Sequence, residues 1–289
     1  MEKRRAKLQY IAAVVLFGTN GMLLRFVSLP SEIVVLCRGL LGTAFIALFL
    51  CAKGRRPDRA AVHRNLKWLV LGGACLGLNW IFLFAAYRAT TVAVASLCNY
   101  MAPIMLLFLA PALFGEKLTW KKLLCVLAAL LGIVLVSGVL TGGAGNVSGK
   151  GIALGLAAAA GFAAVVICNK KLDRIDPLDK TLIQLFVSAL VVFPYVVYRN
   201  TGTWLSLSAQ DVLVVLILGV VQTGIAYILY FGPMGILPVQ TLAILGYIEP
   251  VMSVLCSTIL LREPLPVWGW LGAALIIGAA AASETVAKT

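Results

Sequence analysis

Two ionisable residues stand inside long apolar runs, where a charge is costly. Glu249 lies in Tyr247-Ile248-Glu249-Pro250, eleven residues from either end of the run 238–260. At about 1.5 Å per residue that is near the middle of a helix spanning the run. An acid at such depth must be paired, hydrated or neutralised, and is a functional candidate by default. It could bind and release a proton in a cycle or attract a cation. It could equally bond the backbone that Pro250 loosens one turn earlier, around Gly246, by removing an N–H. Arg38 is about seven residues, or about 10 Å, inside its own run. It could grip a carboxylate bidentately as a charge partner in a site. Snorkelling to the near surface or pairing with Glu32 is the alternative, and the short distance favours it.

A polar and aromatic set shares these runs: Asn20, Asn79, Trp80, Asn99, Tyr100, Gln222, Tyr227 and Tyr247. Ser96, Asn99, Tyr100 and Pro103 follow i, i+3, i+4, i+7 and therefore share one helix face. As a set these residues are expected to line a substrate cavity, with aromatic rings suited to an organic cation. Each alone has a plainer explanation as interfacial aromatic or interhelical glue.

Other chemistries fail on residue type. The one histidine, His63, lies in a basic loop, and the seven cysteines form no CxxC pair. No catalytic residue, metal site or cofactor is expected. The loop Ala144-Gly145-Asn146-Val147-Ser148-Gly149-Lys150-Gly151 departs from a phosphate-binding loop at its first and last positions and does not follow a strand. The chain is therefore not read as an enzyme.

The elements that position these residues follow from composition. The chain has 289 residues, 62% hydrophobic and 12% charged, with a mean hydropathy of +1.01. Soluble domains carry about 25% charged residues, so a soluble enzyme is excluded. Long apolar runs give ten transmembrane helices near 8–27, 32–52, 67–87, 91–113, 119–139, 150–170, 180–199, 210–231, 238–260 and 266–284. The first run follows a basic N-terminus and reads as an uncleaved anchor. With the N-terminus inside, eighteen of the 24 Lys and Arg fall in cytoplasmic segments and five outside, Arg38 being internal. Both termini are thus expected in the cytoplasm of a multi-pass protein of the cytoplasmic membrane. The net charge of +13 then reflects topology, and no nucleic-acid partner is expected.

Residues 71–124 overlay 218–271 at a constant offset of 147, with Gly77/Gly224, Tyr100/Tyr247, Pro103/Pro250 and Glu116/Glu263 among the identities. Five spans per half is odd, so the halves must be inverted relative to one another. The charges agree: Glu116-Lys117 with Lys121 and Lys122 gives way to Arg262-Glu263 without the lysines. The fold class expected is all-α integral membrane, with ten transmembrane helices in two inverted five-helix repeats. The boundaries are 1–141 for the first repeat, 142–149 for a linker and 150–289 for the second. Gly73–Gly77 and Gly151–Gly155 read as close helix contacts.

From Phe17-Gly18 and Arg38 to the Gly/Ala-rich last helix, the chain resembles the drug/metabolite transporter superfamily in its EamA-domain branch. Pro103 with Glu116-Lys117, and Glu249-Pro250 with Arg262-Glu263, stand where that family carries helix-4 and helix-9 prolines and loop glutamates. The resemblance implies a cavity lined by helices 1–4 and 6–9, with helices 5 and 10 peripheral. It also implies transport of metabolites, often export. The expectation is a secondary active carrier working by alternating access, coupled to protons through Glu249, with amino-acid or metabolite export favoured. Choline-like organic-cation uptake or exchange is the alternative; a membrane-embedded lipid-handling enzyme or receptor is the alternative of another class. Expected partners are a small-molecule substrate, protons and the lipid bilayer, in a monomer or weak homodimer.

Overall fold

The computed structural model describes residues 2–24, 26–90, 92–116, 119–136, 148–199, 207–260 and 267–286, and all regular structure among them is helical. The first half comprises α1 (Glu2–Gly18), α2 (Asn20–Leu24), α3 (Ser31–Ala52), α4 (Arg59–Ala89), α5 (Val92–Asn99), α6 (Ala102–Phe114) and α7 (Trp120–Val136). The second comprises α8 (Gly149–Lys170), α9 (Pro177–Arg199), α10 (Ala209–Gly219), a π-helical turn Val220–Ile225, α11 (Ala226–Phe231) and a 3-10 turn Gly232–Gly235. It ends with α12 (Val239–Gly246), α13 (Ile248–Leu260) and α14 (Val267–Val286). Among the described residues, seven helical stretches are long and apolar enough to cross a membrane, and shorter apolar helices occupy Leu123–Leu135, Val239–Met252 and Val267–Ala279. Arg25, Lys117, Arg262, Glu263 and nearly all of the expected linker lie outside the described residues.

Helix starts recur at the sequence offset of 147: Glu2 and Gly149, Val92 and Val239, Trp120 and Val267. The two runs expected as single helices over 91–113 and 238–260 are each broken. Their first segments end at Asn99 and Gly246. Those are the residues whose carbonyls lose a partner because Pro103 and Pro250 have no N–H four residues on. Glu249 consequently lies in the first turn of α13 instead of in mid-helix. Unbonded N–H groups at a helix start favour an anion. α4, the third expected span, begins at Arg59, earlier than the expected 67, because the Asp58 carboxylate caps it, accepting from the N–H groups of Ala60 at 3.0 Å and Ala61 at 3.1 Å.

Small residues let the helices approach closely. A Cβ at Gly73 would lie 2.7 Å from Val187, and one at Gly77 2.9 Å from the Ser188 carbonyl, so α4 and α9 touch backbone to backbone. Gly151 and Gly155 do the same for α8 against Thr90 and Cys98. Away from this centre, α7 packs on α14.

Polar contacts between the halves pin both ends of the bundle. At the end rich in basic residues, Arg55 reaches Asp176 at 3.0 Å and buried Asp179 at 3.1 Å. The Asp176 carboxylate holds the Arg55 guanidinium above its usual range. Asn65 exchanges two hydrogen bonds with the Asp173 backbone, at 2.8 and 2.9 Å. The Glu116 carboxylate accepts from the Val239 and Gln240 N–H groups at 2.8 and 3.3 Å, capping α12 across the halves. At the other end Asp211 accepts from the Ser28 N–H at 2.8 Å and from its hydroxyl.

Candidate functional site

The breaks in the α5–α6 and α12–α13 runs face one central cavity of about 530 Å³, within the range of small-molecule sites. Its walls come from α1 to α6, α8 and α11 to α13. Among the described residues α7 and α14 contribute nothing to it, in keeping with the peripheral place expected for helices 5 and 10. The expectation that all of helices 6–9 line it is corrected at α9, which packs behind α3 and α4. There Ala189 of α9 already occupies the space beside Gly39.

The walls are aromatic. Six of the eight tyrosines line the cavity: Tyr10, Tyr87, Tyr100, Tyr227, Tyr230 and Tyr247. Tyr10 and Tyr230 stack at 4.8 Å between ring centres, and the Tyr10 hydroxyl donates to the Leu242 carbonyl at 3.0 Å. Phe17 packs between Tyr227 and Tyr230 at 5.0 and 5.3 Å. This cluster lies toward the basic end, where Lys180 donates to the Phe231 carbonyl and Lys170 to that of Leu237 at 2.7 Å. At the opposite end the lining reaches exposed Ser31 and half-buried Leu24.

Two charges face this space, one from each half. Glu249 lines it from the first turn of α13, and Arg38, Tyr10, Tyr87, Tyr100, Tyr227 and Tyr230 share the same lining. Arg38 enters the cavity wall from α3, its Nε donating to the Thr223 hydroxyl at 3.1 Å. The expected snorkelling, or pairing with Glu32, is thereby corrected. Six residues on, Arg38 is about 240° round the helix from Glu32, whose carboxylate is taken by Arg88 at the end of α4. The repeat does not duplicate this pair: Leu185 stands at the equivalent of Arg38 and Ala102 at that of Glu249.

Of the polar and aromatic set, Asn20, Asn79, Trp80, Asn99, Tyr100, Tyr227 and Tyr247 line the cavity. The repeat-related Trp80 and Tyr227 meet edge to face at 6.2 Å. The Asn79 amide donates to Asn99 at 3.1 Å and to the Ala158 carbonyl at 2.8 Å, so it also ties helices together. The Asn20 side-chain amide oxygen and the Tyr247 hydroxyl are buried with no hydrogen-bond partner among the described residues. Gln222 is not in the lining; its amide donates to the Thr19 hydroxyl. It lies in the π-helical turn, where face assignments made on a 3.6-residue period no longer apply. Sequence reasoning missed Tyr10, Phe17 and Tyr230, although Tyr10, Val14 and Phe17 recur at i, i+4, i+7 and Tyr227 and Tyr230 at i, i+3. Thr223 carried no sequence signal.

The EamA-like transporter family matches the chain twice, over residues 5–138 and 149–283. The transporter YxxF of Bacillus subtilis (strain 168), whose name marks it as uncharacterized, is 25% identical over 89% of this chain and 82% of its own. An uncharacterized transporter of Archaeoglobus fulgidus is 28% identical over 92% of each chain. A "probable amino-acid metabolite efflux pump" of Salmonella typhimurium (strain LT2) is 26% identical over 92% of this chain and 90% of its own. A crystal structure with 20% sequence identity superposes with a TM-score of 0.84, covering 98% of this chain and 99% of the other, and shares the fold.

Proposed function

The chain belongs to the EamA-like transporter family, and on that premise we propose that it exports small zwitterionic metabolites, amino acids foremost, by alternating access coupled to protons at Glu249. Multi-pass membrane architecture and the transport of small molecules follow from the family and its relatives. The finer claims rest on the cavity. One observation carries them: Arg38 and Glu249, a cation and an anion from different halves, face the same aromatic-walled space. A bound carboxylate would meet the guanidinium and a bound ammonium would meet Glu249 and the tyrosine faces. A proton taken by Glu249 would compete with the ammonium for the same charge, which is the elementary requirement of exchange.

The ten-span topology, with halves inserted in opposite orientations, supplies the motion in this proposal: two similar halves rock about a central site. Positive charge at the end holding Arg55, Arg64 and Lys171 makes that end cytoplasmic. The Tyr10–Tyr230 stack then closes the inside, and the cavity faces outward. The rings around Glu249 also favour a quaternary ammonium ligand; Arg38 argues against it by repelling a cation that brings no carboxylate.

The test is flux in proteoliposomes under an imposed proton gradient, with ligands first ranked by thermal shift among amino acids, quaternary amines and phosphosugars. Amino acids should stabilise the protein, and Glu249→Gln should abolish gradient-driven flux. Normal flux with unchanged pH dependence in Glu249→Gln would remove the coupling role. Stabilisation by quaternary amines alone would promote the organic-cation reading.

A further inference from the structure

The guanidinium of Arg38 is the only positive group in the cavity lining among the described residues, and a flexible side chain must be aimed to be useful. Its Nε meets the Thr223 hydroxyl at 3.1 Å, and that hydroxyl in turn donates to the Leu218 carbonyl at 2.7 Å. The carbonyl lies five residues back, across the π-helical turn Val220–Ile225. The repeat equivalent of this turn, residues 73–78, runs as unbroken α-helix within α4, with Leu76 at the position of Thr223. The π turn and its hydroxyl are therefore particular to the half that faces Arg38. π-helical turns concentrate at functional sites because they re-aim one residue within an otherwise regular helix.

The surroundings fix the hydroxyl. Thr223 is fully buried, and its γ-methyl lies against Gly42 of α3, where an added Cβ would come within 2.9 Å. The methyl and the hydroxyl thus have separate jobs: one fills the gap left by Gly42, the other holds Arg38. With its hydrogen given to Leu218, the oxygen can only accept from Arg38, so Nε is anchored. The two Nη groups remain the ends available to a ligand in the cavity. This is the fork geometry that a carboxylate takes.

We propose that Thr223 is a positioning residue: the π turn presents its hydroxyl so that Arg38 offers its terminal NH2 groups to the carboxylate end of the substrate. The assignment of Arg38 as the carboxylate group rests on the function proposed above; the anchoring of Nε does not. Thr223→Val keeps the methyl packing and removes the acceptor, whereas Thr223→Ser keeps the acceptor.

The protein in lipid nanodiscs, with Nε-labelled arginine, provides a readout that needs no ligand. A slowly exchanging Nε–H signal, assigned to Arg38 by its loss in Arg38→Lys, should persist in Thr223→Ser and vanish in Thr223→Val. Binding is then measured with L-leucine and with 3-methylbutylamine, the same molecule without its carboxylate. Thr223→Val should weaken L-leucine about tenfold, as expected for loss of one hydrogen bond to a charged group. It should leave 3-methylbutylamine as in wild type, and Thr223→Ser should restore L-leucine. A protected Nε–H that survives in Thr223→Val overturns the positioning role, and so does equal weakening of both ligands. Loss of the signal in Thr223→Val, with wild type binding neither ligand, supports the anchoring and refutes the zwitterion reading instead.

Discussion

Glu116 gives a prediction whose size can be worked from geometry alone. Its two carboxylate oxygens accept from the N–H groups of Val239 and Gln240 at 2.8 and 3.3 Å. These are the first two residues of α12, whose N–H groups have no partner inside the helix. Both residues are buried, Val239 at 0% and Gln240 at 1% exposure. Glu116→Ala removes the carboxylate to which both N–H groups donate, away from solvent. A lost hydrogen bond to a charged acceptor costs about 1.5–3 kcal/mol, and Glu116 is itself only half-buried, so about 2 kcal/mol is the appropriate total. Hydrogen exchange at these two amides should then accelerate about 30-fold. Glu116→Gln keeps one acceptor oxygen without the charge and should fall between the two. The assay is hydrogen–deuterium exchange with mass spectrometry on peptides covering 237–246, with peptides from α7 as an internal control. Exchange at Val239 and Gln240 unchanged in Glu116→Ala would refute the reasoning, because the carboxylate would then not be what protects those amides. Leu242, Ala243 and Gly246 of the same helix line the cavity, so the looser cap should also lower turnover.

Two further predictions concern stability, measured as thermal melting of the purified protein in detergent. Asn65→Ala should be destabilised by about 2–3 kcal/mol, since it strips two partners from the Asp173 backbone, whereas neighbouring Arg64→Ala should change stability by less than about 1 kcal/mol. The Arg64–Asp173 pair spans 3.6 Å between largely exposed groups, and equal effects would contradict this ranking. Gly73→Val should cost at least about 1–3 kcal/mol, because even a Cβ lands 2.8 Å from the Gln184 carbonyl; a wild-type melting temperature would mean that α4 and α9 can separate without loss.

Much of the architecture was legible because apolar runs are bounded by charges. Helix starts at Gly149 and Val239 fall within a residue of the limits read from hydropathy, whereas the early start of α4 behind the Asp58 cap was missed because the basic run after it reads as loop. Pro250 pointed to a weakened backbone at Gly246, and the helix ends there. What escaped depends on contacts between residues far apart in sequence. The local distance from Arg38 to the helix end favoured the surface; the pairing of Glu32 with Arg88, fifty-six residues on, frees Arg38 to face inward. Gln222 is expected in the cavity only as a member of the polar set, and nothing in Val220–Ile225 announces locally the π turn in which it lies. Tyr10 and Tyr230 were hidden for a different reason: aromatic residues in apolar runs are common, and only their stacking across 220 residues distinguishes them.

The unequal endowment of the two halves has a kinetic consequence. Helix starts recur at a fixed offset, and in the alternating-access cycle proposed above a backbone exchanging the shapes of its halves would present nearly the same opening to either side of the membrane. Arg38 and Glu249, however, have Leu185 and Ala102 as their counterparts and do not exchange. A substrate arriving from one face would meet the anion and cation in one order and geometry, and from the other face in another. Half-saturation should therefore differ between the two faces even when no gradient is applied. With equilibrium fixed, the maximal velocities must differ in the compensating ratio. Under the proposed cycle such a carrier would saturate at different concentrations from its two sides, an asymmetry built from a near-symmetric frame and two residues that break the symmetry.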